Sequence, residues 1–178
     1  MNLGCGSEKI ANCINIDINP ELKPDLVLDF SKAMPFPADF VDEIYLFHVI
    51  EHIQEKFHIP MLLEFHRVLK PFGKLYISYP EFTKVAQNYI DNAEGKRDFW
   101  KATIYGRQLY PSDFHVSLMD SRTFVECLDF CGFKDITVTP EKREDFNTII
   151  FAKKTGRKIL YEDVLNAFVF GEKALDAR

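Results

Sequence analysis

The chain has 178 residues, of which 47% are hydrophobic and 14% aromatic, enough for one domain that buries roughly 70% of its unfolded surface. The formal net charge of −5 and the absence of an extended lysine or arginine cluster argue against a nucleic-acid partner. No apolar run approaches the roughly 20 residues that span a bilayer, and no basic and apolar leader opens the sequence. Four cysteines without disulfide-scaffold spacing predict reduced thiols in a cytoplasmic protein.

A glycine turn follows the first apolar segment. The segment runs into Gly4-Cys5-Gly6, and a second apolar run ends on Asp17. Glycine lets a ligand approach bare backbone, because it has no side chain. An acid at the end of the next strand can accept hydrogen bonds from a ribose diol. The pattern therefore indicates either a nucleotide site or a tight strand-to-loop turn.

Alternating apolar runs and helical patterns predict an α/β domain with a mostly parallel sheet and helices on both faces. Two helices are predicted over 60–69 and 121–131, the second capped by Asp120 or Ser121 and ended by Gly132. The predicted strands are 1–4, 13–17, 25–29, 43–48, 74–79, 134–139 and 147–153.

The second half of the chain adds three features to this pattern. A short polar loop over 141–146 predicts that the last two strands form an antiparallel hairpin. Residues 83–112 interrupt the pattern as a partly helical, aromatic insertion, which is either a lid over a pocket or a packed cap. Residues 159–178 predict a last helix that docks on the domain or forms a homodimer.

Further motifs follow the glycine turn in a fixed order: Asp25-Leu26-Val27-Leu28-Asp29-Phe30, Met34-Pro35-Phe36-Pro37, Phe40-Val41-Asp42-Glu43-Ile44-Tyr45, Val49-Ile50-Glu51-His52 and Arg67-Val68-Leu69-Lys70-Pro71-Phe72-Gly73. This set resembles the class I S-adenosylmethionine (SAM) dependent methyltransferases, and it looks closest to the small "type 11" predicted methyltransferases with a short first loop. The resemblance is close over 1–80 and loose over 113–153. It implies a Rossmann-like, doubly wound, seven-stranded sheet of order 3-2-1-4-5-7-6 whose last strand is antiparallel. It also implies SAM as the cofactor, with S-adenosylhomocysteine as the product.

The resemblance implies a cofactor site at the carboxyl edge of strands 1, 2 and 4. The glycine turn matches the methionine portion, Asp17 the ribose hydroxyls, and Asp29 with the adjacent backbone amide the adenine. The alternative for Asp29 is a cap on the following turn. The predicted cofactor-binding residues are Asn2, Gly4, Cys5, Gly6, Asp17, Ile18, Asp29, Phe30 and His48.

Three departures from the family pattern stand out. Asn2 replaces the usual acid, the third glycine is absent, and only ten residues separate Gly6 from Asp17. The same missing glycine and early acid disfavour a nicotinamide-dependent dehydrogenase. The motif that many amino-group methyltransferases of nucleobases carry is replaced by Leu46-Phe47-His48-Val49, which disfavours methylation of nucleobase amines.

An alkyl hydroxyl acceptor needs help in losing its proton, and histidine is the usual base near neutral pH. The predicted catalytic residues are His115, His48 and Glu51, although each histidine could instead be structural. No metal is predicted as the first choice. The less favoured alternative is a divalent metal on His48, Glu51, His52 and His115, because a similar Glu/His arrangement holds a metal in some O-methyltransferases. Glu51 and His52 could instead simply open a helix.

The sequence therefore predicts methyl transfer to oxygen on a small molecule, and the resemblance implies a glycan sugar as the other acceptor class. Two alternatives stay open: an RNA or metabolite methyltransferase, and a SAM-binding module without catalysis.

Overall fold

The computed structural model describes residues 1–109, 112–142 and 144–156. Within them, seven strands form one sheet of order β3-β2-β1-β4-β5-β7-β6. β1 to β5 are parallel, whereas β7 runs antiparallel to both β5 and β6. This topology confirms the predicted fold class. The strands are β1 (Asn2–Leu3), β2 (Asn15–Asp17), β3 (Leu26–Val27), β4 (Val41–Phe47), β5 (Leu69–Pro80), β6 (Phe133–Pro140) and β7 (Asn147–Lys154).

Four α-helices lie in the described residues: α1 (His58–Val68), α2 (Phe82–Ile90), α3 (Arg97–Tyr105) and α4 (Ser121–Phe130). α1 begins two residues before its predicted start and ends at Val68, because Leu69 is already extended and opens β5. α4 begins as predicted: the Asp120 carboxylate accepts a hydrogen bond from the Thr123 amide at 3.1 Å. Gly132 follows α4 with a φ of 85°, as the sequence predicts.

The described connections between β1 and β4 contain a single 3-10 helix, Pro20–Leu22, and no α-helix. The described connection between β1 and β2 has no helix to pack on the sheet. A buried network of polar side chains fixes it instead. Asn2 Nδ2 donates to Asn15 Oδ1 at 3.0 Å and to the Glu8 carbonyl at 2.9 Å. Asn15 in turn donates to the Asp25 carboxylate from its backbone and its side chain. The loop after the glycine turn is therefore ordered by amide side chains of β1 and β2.

The main core lies on one face of the sheet. One register row crosses the sheet at its centre, and its five residues from β2, β1, β4, β5 and β7 are almost completely buried: Ile16, Leu3, Leu46, Ile77 and Ile150. α1 and α4 cover this row, and His58 and Phe124 make an edge contact between the two helices at 6.3 Å. Burying each aliphatic side chain contributes about 1.5–3 kcal/mol, so this row accounts for much of the sheet's stability.

The predicted insertion forms α2, a 3-10 turn at Ala93–Gly95, and α3. A second, smaller core of Val85, Trp100 and Phe146 joins these helices to the β6–β7 hairpin. The Trp100 and Phe146 rings meet edge to face at 5.1 Å, and Trp100 Nε1 donates to the Ala93 carbonyl at 3.0 Å. The two helices of the insertion therefore pack against the hairpin through this second core, which is separate from the main core.

The predicted helix over 159–178, with its proposed homodimer, lies outside the described residues. None of the helices that the structure describes is long and apolar enough to cross a membrane.

Candidate functional site

The carboxyl ends of β1, β2 and β4 meet at one edge of the sheet, because these strands are parallel neighbours. Gly4 follows β1, Asp17 ends β2, and His48 follows β4. Crevices at the carboxyl edge of such sheets are where ligands bind in open α/β folds. The structure thus brings the predicted glycine turn, acid and histidine to a common edge.

The glycine turn needs glycine at its first position for two reasons. Gly4 has a φ of 64°, and a β-carbon there would lie 2.4 Å from Val49 Cγ2. Gly6 also has a positive φ, of 51°, but faces open space, with nothing within 4 Å of a built β-carbon. Backbone at Gly6 is therefore accessible to a ligand, while Gly4 lets the loop after β4 close against the turn.

Asp17 ties the glycine turn to β2. Its Oδ2 accepts from the Gly6 amide at 2.8 Å, and its Oδ1 accepts from the Asn19 amide at 2.9 Å. Only a small part of the Asp17 surface reaches solvent, since the residue is 8% exposed. Each carboxylate oxygen keeps a further lone pair, so the geometry fits a role toward a ribose diol.

The remaining predicted cofactor residues differ in how they are placed. Ile18 is 58% exposed beside Asp17, as an apolar wall for a flat ring requires. Phe30 is buried in the main core, so its side chain packs rather than binds. Asp29 Oδ1 accepts from the Ser31 amide and hydroxyl at 3.2 and 2.5 Å, the contacts of a turn cap. Asn2 is engaged in the loop network, and its role toward the cofactor stays a prediction.

His48 occupies a constrained turn after β4. Its φ is 54°, and its amide donates to the Ser78 carbonyl at 2.9 Å. The imidazole lies between two carboxylates, with Nδ1 3.6 Å from Glu51 Oε1 and Nε2 3.5 Å from Glu141 Oε2. Glu51 above all, and then Glu141, hold the pKa of His48 above its ordinary value. Glu141, from the β6–β7 hairpin, was not predicted as a site residue.

Glu51 is 3% exposed and sits in the 3-10 helix Ile50–His52. Its backbone carbonyl accepts from the amides of Val116 and Ser117 at 2.8 and 3.2 Å, which fixes the following segment beside it. Its side-chain Oε2 is buried and has no hydrogen-bond partner within the described part of the chain. A buried carboxylate oxygen without a partner is costly, so this atom is a candidate contact for a bound ligand or ion.

His52 and His115 complete a cluster with Glu51. One ligand-type atom from each of the three residues lies within 4.8 Å of the others. The two imidazole rings meet edge to face at 4.8 Å, and His52 Nδ1 is 3.0 Å from the Phe114 carbonyl. Burial lowers the pKa of His115, so the ring favours its neutral form. The structure therefore gathers the predicted catalytic residues, with His48 next to Glu51 but outside the three-residue cluster.

Gly106 positions this cluster and was missed from the sequence. Its φ is 79°, and a β-carbon there would lie 2.0 Å from the Asp113 carbonyl oxygen and 2.9 Å from the His115 amide. The His115 amide donates to the Tyr105 carbonyl at 3.0 Å, beside this close approach. A glycine directly after a helix is a recognisable signal, but the sequence does not reveal which segment passes over it.

An open groove of about 610 Å³ runs from His115 between α2, α3 and the segment 115–118. Its walls are largely apolar and aromatic, including Tyr89, Ile104 and Leu118. Glu55 is the charged side chain at its rim, and no lysine or arginine lines it among the described residues. The groove is therefore suited to an uncharged molecule with apolar parts.

The other two histidines, His58 and His66, pack in the interior of the protein, where both are buried. His58 Nε2 contacts the Ile53 carbonyl at 2.9 Å, and His66 packs edge to face on Phe133 at 5.5 Å. Neither faces the cluster of Glu51, His52 and His115.

Comparison with known proteins gives a consistent picture. A family model described as a methyltransferase domain matches residues 3–138. A SAM-dependent methyltransferase structure from Archaeoglobus fulgidus has a TM-score of 0.63 at 16% identity, over 86% of this chain and 84% of that one. A SAM-dependent methyltransferase structure from Methanosarcina mazei has a TM-score of 0.62 at 17% identity, over 86% and 91%. No curated protein matches the sequence significantly.

Proposed function

Because this chain belongs to the methyltransferase domain family and is a class I SAM-dependent methyltransferase, we propose that it methylates an oxygen atom of a small molecule or a glycan sugar. The observation that supports an oxygen acceptor is the buried Glu51 carboxylate beside His115, a histidine that lines the groove. The membership confirms the predicted family. The finer "type 11" grouping stays a prediction.

The cofactor would lie across the carboxyl ends of β1, β2 and β4. The open space at Gly6 would take its methionine portion, the Asp17 carboxylate beside the Gly6 amide would accept from the ribose hydroxyls, and exposed Ile18 would support the adenine. Asp29 and the Phe30 amide remain the proposed adenine contacts. SAM supplies a sulfonium methyl group, which is open to direct displacement.

The transfer needs alignment and removal of one proton. A lone pair of the acceptor oxygen forms the new bond to the methyl carbon, while the carbon–sulfur electron pair moves onto sulfur and leaves a neutral thioether. The hydroxyl proton leaves toward the group of His48, Glu51 and His115. Correct alignment of the reacting atoms contributes roughly 7–11 kcal/mol, and proton removal by positioned side chains typically adds about 10²–10⁴-fold.

The groove favours a neutral acceptor over an anionic one. Its charged side chain is acidic, its described walls hold no lysine or arginine, and the whole chain has a formal net charge of −5. A polyanion such as RNA would need phosphate contacts from basic side chains. The exposed rings of Tyr89 and Tyr105 at this groove can pack against the face of a sugar or an aromatic ring.

Labelled-methyl transfer tests the proposal. The full chain is incubated with methyl-labelled SAM and separate pools of small hydroxyl compounds, glycans and RNA. Label in the first or second pool, lost in Glu51→Gln and kept in Glu126→Gln, which changes an exposed acid of α4, supports the proposal. Label in RNA alone would replace the proposed acceptor, and S-adenosylhomocysteine binding without transfer to any pool would indicate a non-catalytic module.

A further inference from the structure

We infer that Glu51, His52 and His115 form a binding site for a single divalent cation of the zinc class. The chemical role of this cation rests on the proposed function. A cation at this site would bind the acceptor oxygen and lower the pKa of the acceptor hydroxyl. The observation that carries it is the convergence of one carboxylate and two imidazoles, with their ligand atoms within 4.8 Å of one another.

The carboxylate is available as a ligand. Glu51 is 3% exposed, and its Oε1 faces His48 Nδ1 at 3.6 Å. The second oxygen, Oε2, is buried with no hydrogen-bond partner in the described part of the chain. A positive ion is the partner that such an oxygen lacks, because a buried carboxylate is stable only when its oxygens are paired.

His52 is oriented as metal ligands usually are. Its Nδ1 is held by the Phe114 carbonyl at 3.0 Å, which leaves Nε2 as the lone-pair nitrogen. The His115 ring lies beside it, with the two ring centres 4.8 Å apart. A backbone carbonyl on one ring nitrogen fixes the tautomer and aims the other nitrogen at the metal.

The ligand set and its spacing select the kind of ion. Two imidazoles and one carboxylate are a common catalytic zinc set, with a further position left for water or substrate. Bonds of roughly 2.0–2.2 Å place ligand atoms roughly 3–4 Å apart, so the observed 4.8 Å limit closes with small side-chain rotations. The site opens toward the groove, since His115 lines both.

The set differs from the four-residue alternative that the sequence suggested. His48 does not belong to the three-residue cluster, and its ring lies between Glu51 Oε1 at 3.6 Å and Glu141 Oε2 at 3.5 Å. It is therefore a neighbour that orients the Glu51 carboxylate rather than a ligand. Cation binding should therefore be weakened less by the loss of His48 than by the loss of His52 or His115.

Zinc titration of the full, chelator-treated chain tests the inference, with bound Zn²⁺ measured by calorimetry and by elemental analysis after dialysis. We expect one Zn²⁺ per chain. Glu51→Gln and His115→Ala, which each remove a ligand, should weaken binding by about 100-fold or more, whereas His48→Ala, which removes only a neighbour that orients the carboxylate, should weaken it by about tenfold. Glu55→Gln should bind as the wild-type chain does. S-adenosylhomocysteine binding by each variant verifies that it is folded.

Several results would overturn the inference: no stoichiometric Zn²⁺, equal binding by Glu51→Gln and the wild-type chain, or loss of binding in His48→Ala but not in His115→Ala. The proposed function fails separately. Methyl transfer by a chain that binds no Zn²⁺ would retain the function and reject the cation site, whereas tight Zn²⁺ binding without transfer to any acceptor would retain the site and reject the function.

Discussion

Gly4 and Val49 lie in direct contact across the cofactor edge, so closely that a β-carbon on Gly4 would be 2.4 Å from Val49 Cγ2. Gly4 follows β1 and Val49 lies in the loop after β4. These two strands are neighbours in the sheet although they are distant in the sequence. The contact closes the loop after β4 against the glycine turn. It therefore couples the cofactor side of the site to the segment that carries His48 and Glu51.

Gly4→Ala should weaken S-adenosylhomocysteine binding by about tenfold or more, because the new methyl group displaces Val49 and strains a residue with a positive φ. A left-handed conformation alone costs about 1–2 kcal/mol outside glycine. Calorimetric titration measures the loss of affinity, and thermal unfolding measures the loss of stability.

Gly95→Ala is the matched control, since Gly95 has a φ of 67°, nothing lies within 4 Å of a β-carbon there, and the residue is outside the cofactor edge. It should lose stability by the backbone strain alone. Adding Val49→Ala to Gly4→Ala should restore part of the affinity. A double variant no better than Gly4→Ala would show that the contact with Val49 is not the cause.

Gly106→Ala should abolish most methyl transfer while S-adenosylhomocysteine still binds. A β-carbon at Gly106 would lie 2.0 Å from the Asp113 carbonyl oxygen, so the segment that carries His115 must move. Gly95→Ala is the control in the same insertion, because Gly95 has a φ of 67° and no neighbour within 4 Å. Equal activity in the two variants would show that His115 does not need this placement.

The sheet order and the cofactor edge could be predicted from the sequence because they follow from local patterns. Apolar runs mark the strands, and a turn of glycines and an acid marks the ends of two of them. The family motifs then place these strands in order. Asp17 and the Gly4-Cys5-Gly6 turn accordingly stand at the same edge of the sheet, with Gly6 hydrogen-bonded to Asp17.

The parts that could not be predicted depend on contacts between distant segments. The polar network of Asn2 and Asn15 replaces a helix in the first connection, and nothing in either residue's neighbourhood indicates its partner. Glu141 meets His48 across 93 residues, and Gly106 meets the carbonyl of Asp113. Such pairs depend on how the hairpin and the insertion pack, which periodicity does not determine.

Stability should fall as the pH is lowered from about 6.5 to about 4, in part because of His66. Burial lowers the pKa of His66 from 6.5 to about 4 in the folded protein. Because the unfolded chain takes up the proton first, the contribution is fully present above pH 6.5 and is lost as the pH falls toward 4. The full effect is at most about 3 kcal/mol.

Urea unfolding at pH 7 and pH 4.5 measures this contribution. His66→Leu should show a smaller loss of stability between the two pH values than the wild-type chain, whatever its stability at pH 7. The same pH dependence in both proteins would assign the acid sensitivity to carboxylates elsewhere.

The insertion should become more protected when ligand binds. α2 and α3 stand on the small core of Val85, Trp100 and Phe146 and line the groove next to His115. Hydrogen exchange of residues 82–105 should slow in the presence of S-adenosylhomocysteine, while the amides of β4 and β5 change little. Equal exchange with and without ligand would make the insertion a structural cap rather than a lid.

Titration of the full chain with S-adenosylhomocysteine tests the central claim most directly, because the cofactor edge underlies both the family assignment and the proposed transfer. We expect one bound molecule per chain. Asp17→Ala, which removes the carboxylate at the Gly6 amide, should bind much more weakly. Glu21→Ala, which removes an exposed acid four residues away, should bind normally. A wild-type chain that shows no binding, or an Asp17→Ala chain that binds as tightly as wild type, would contradict the claim.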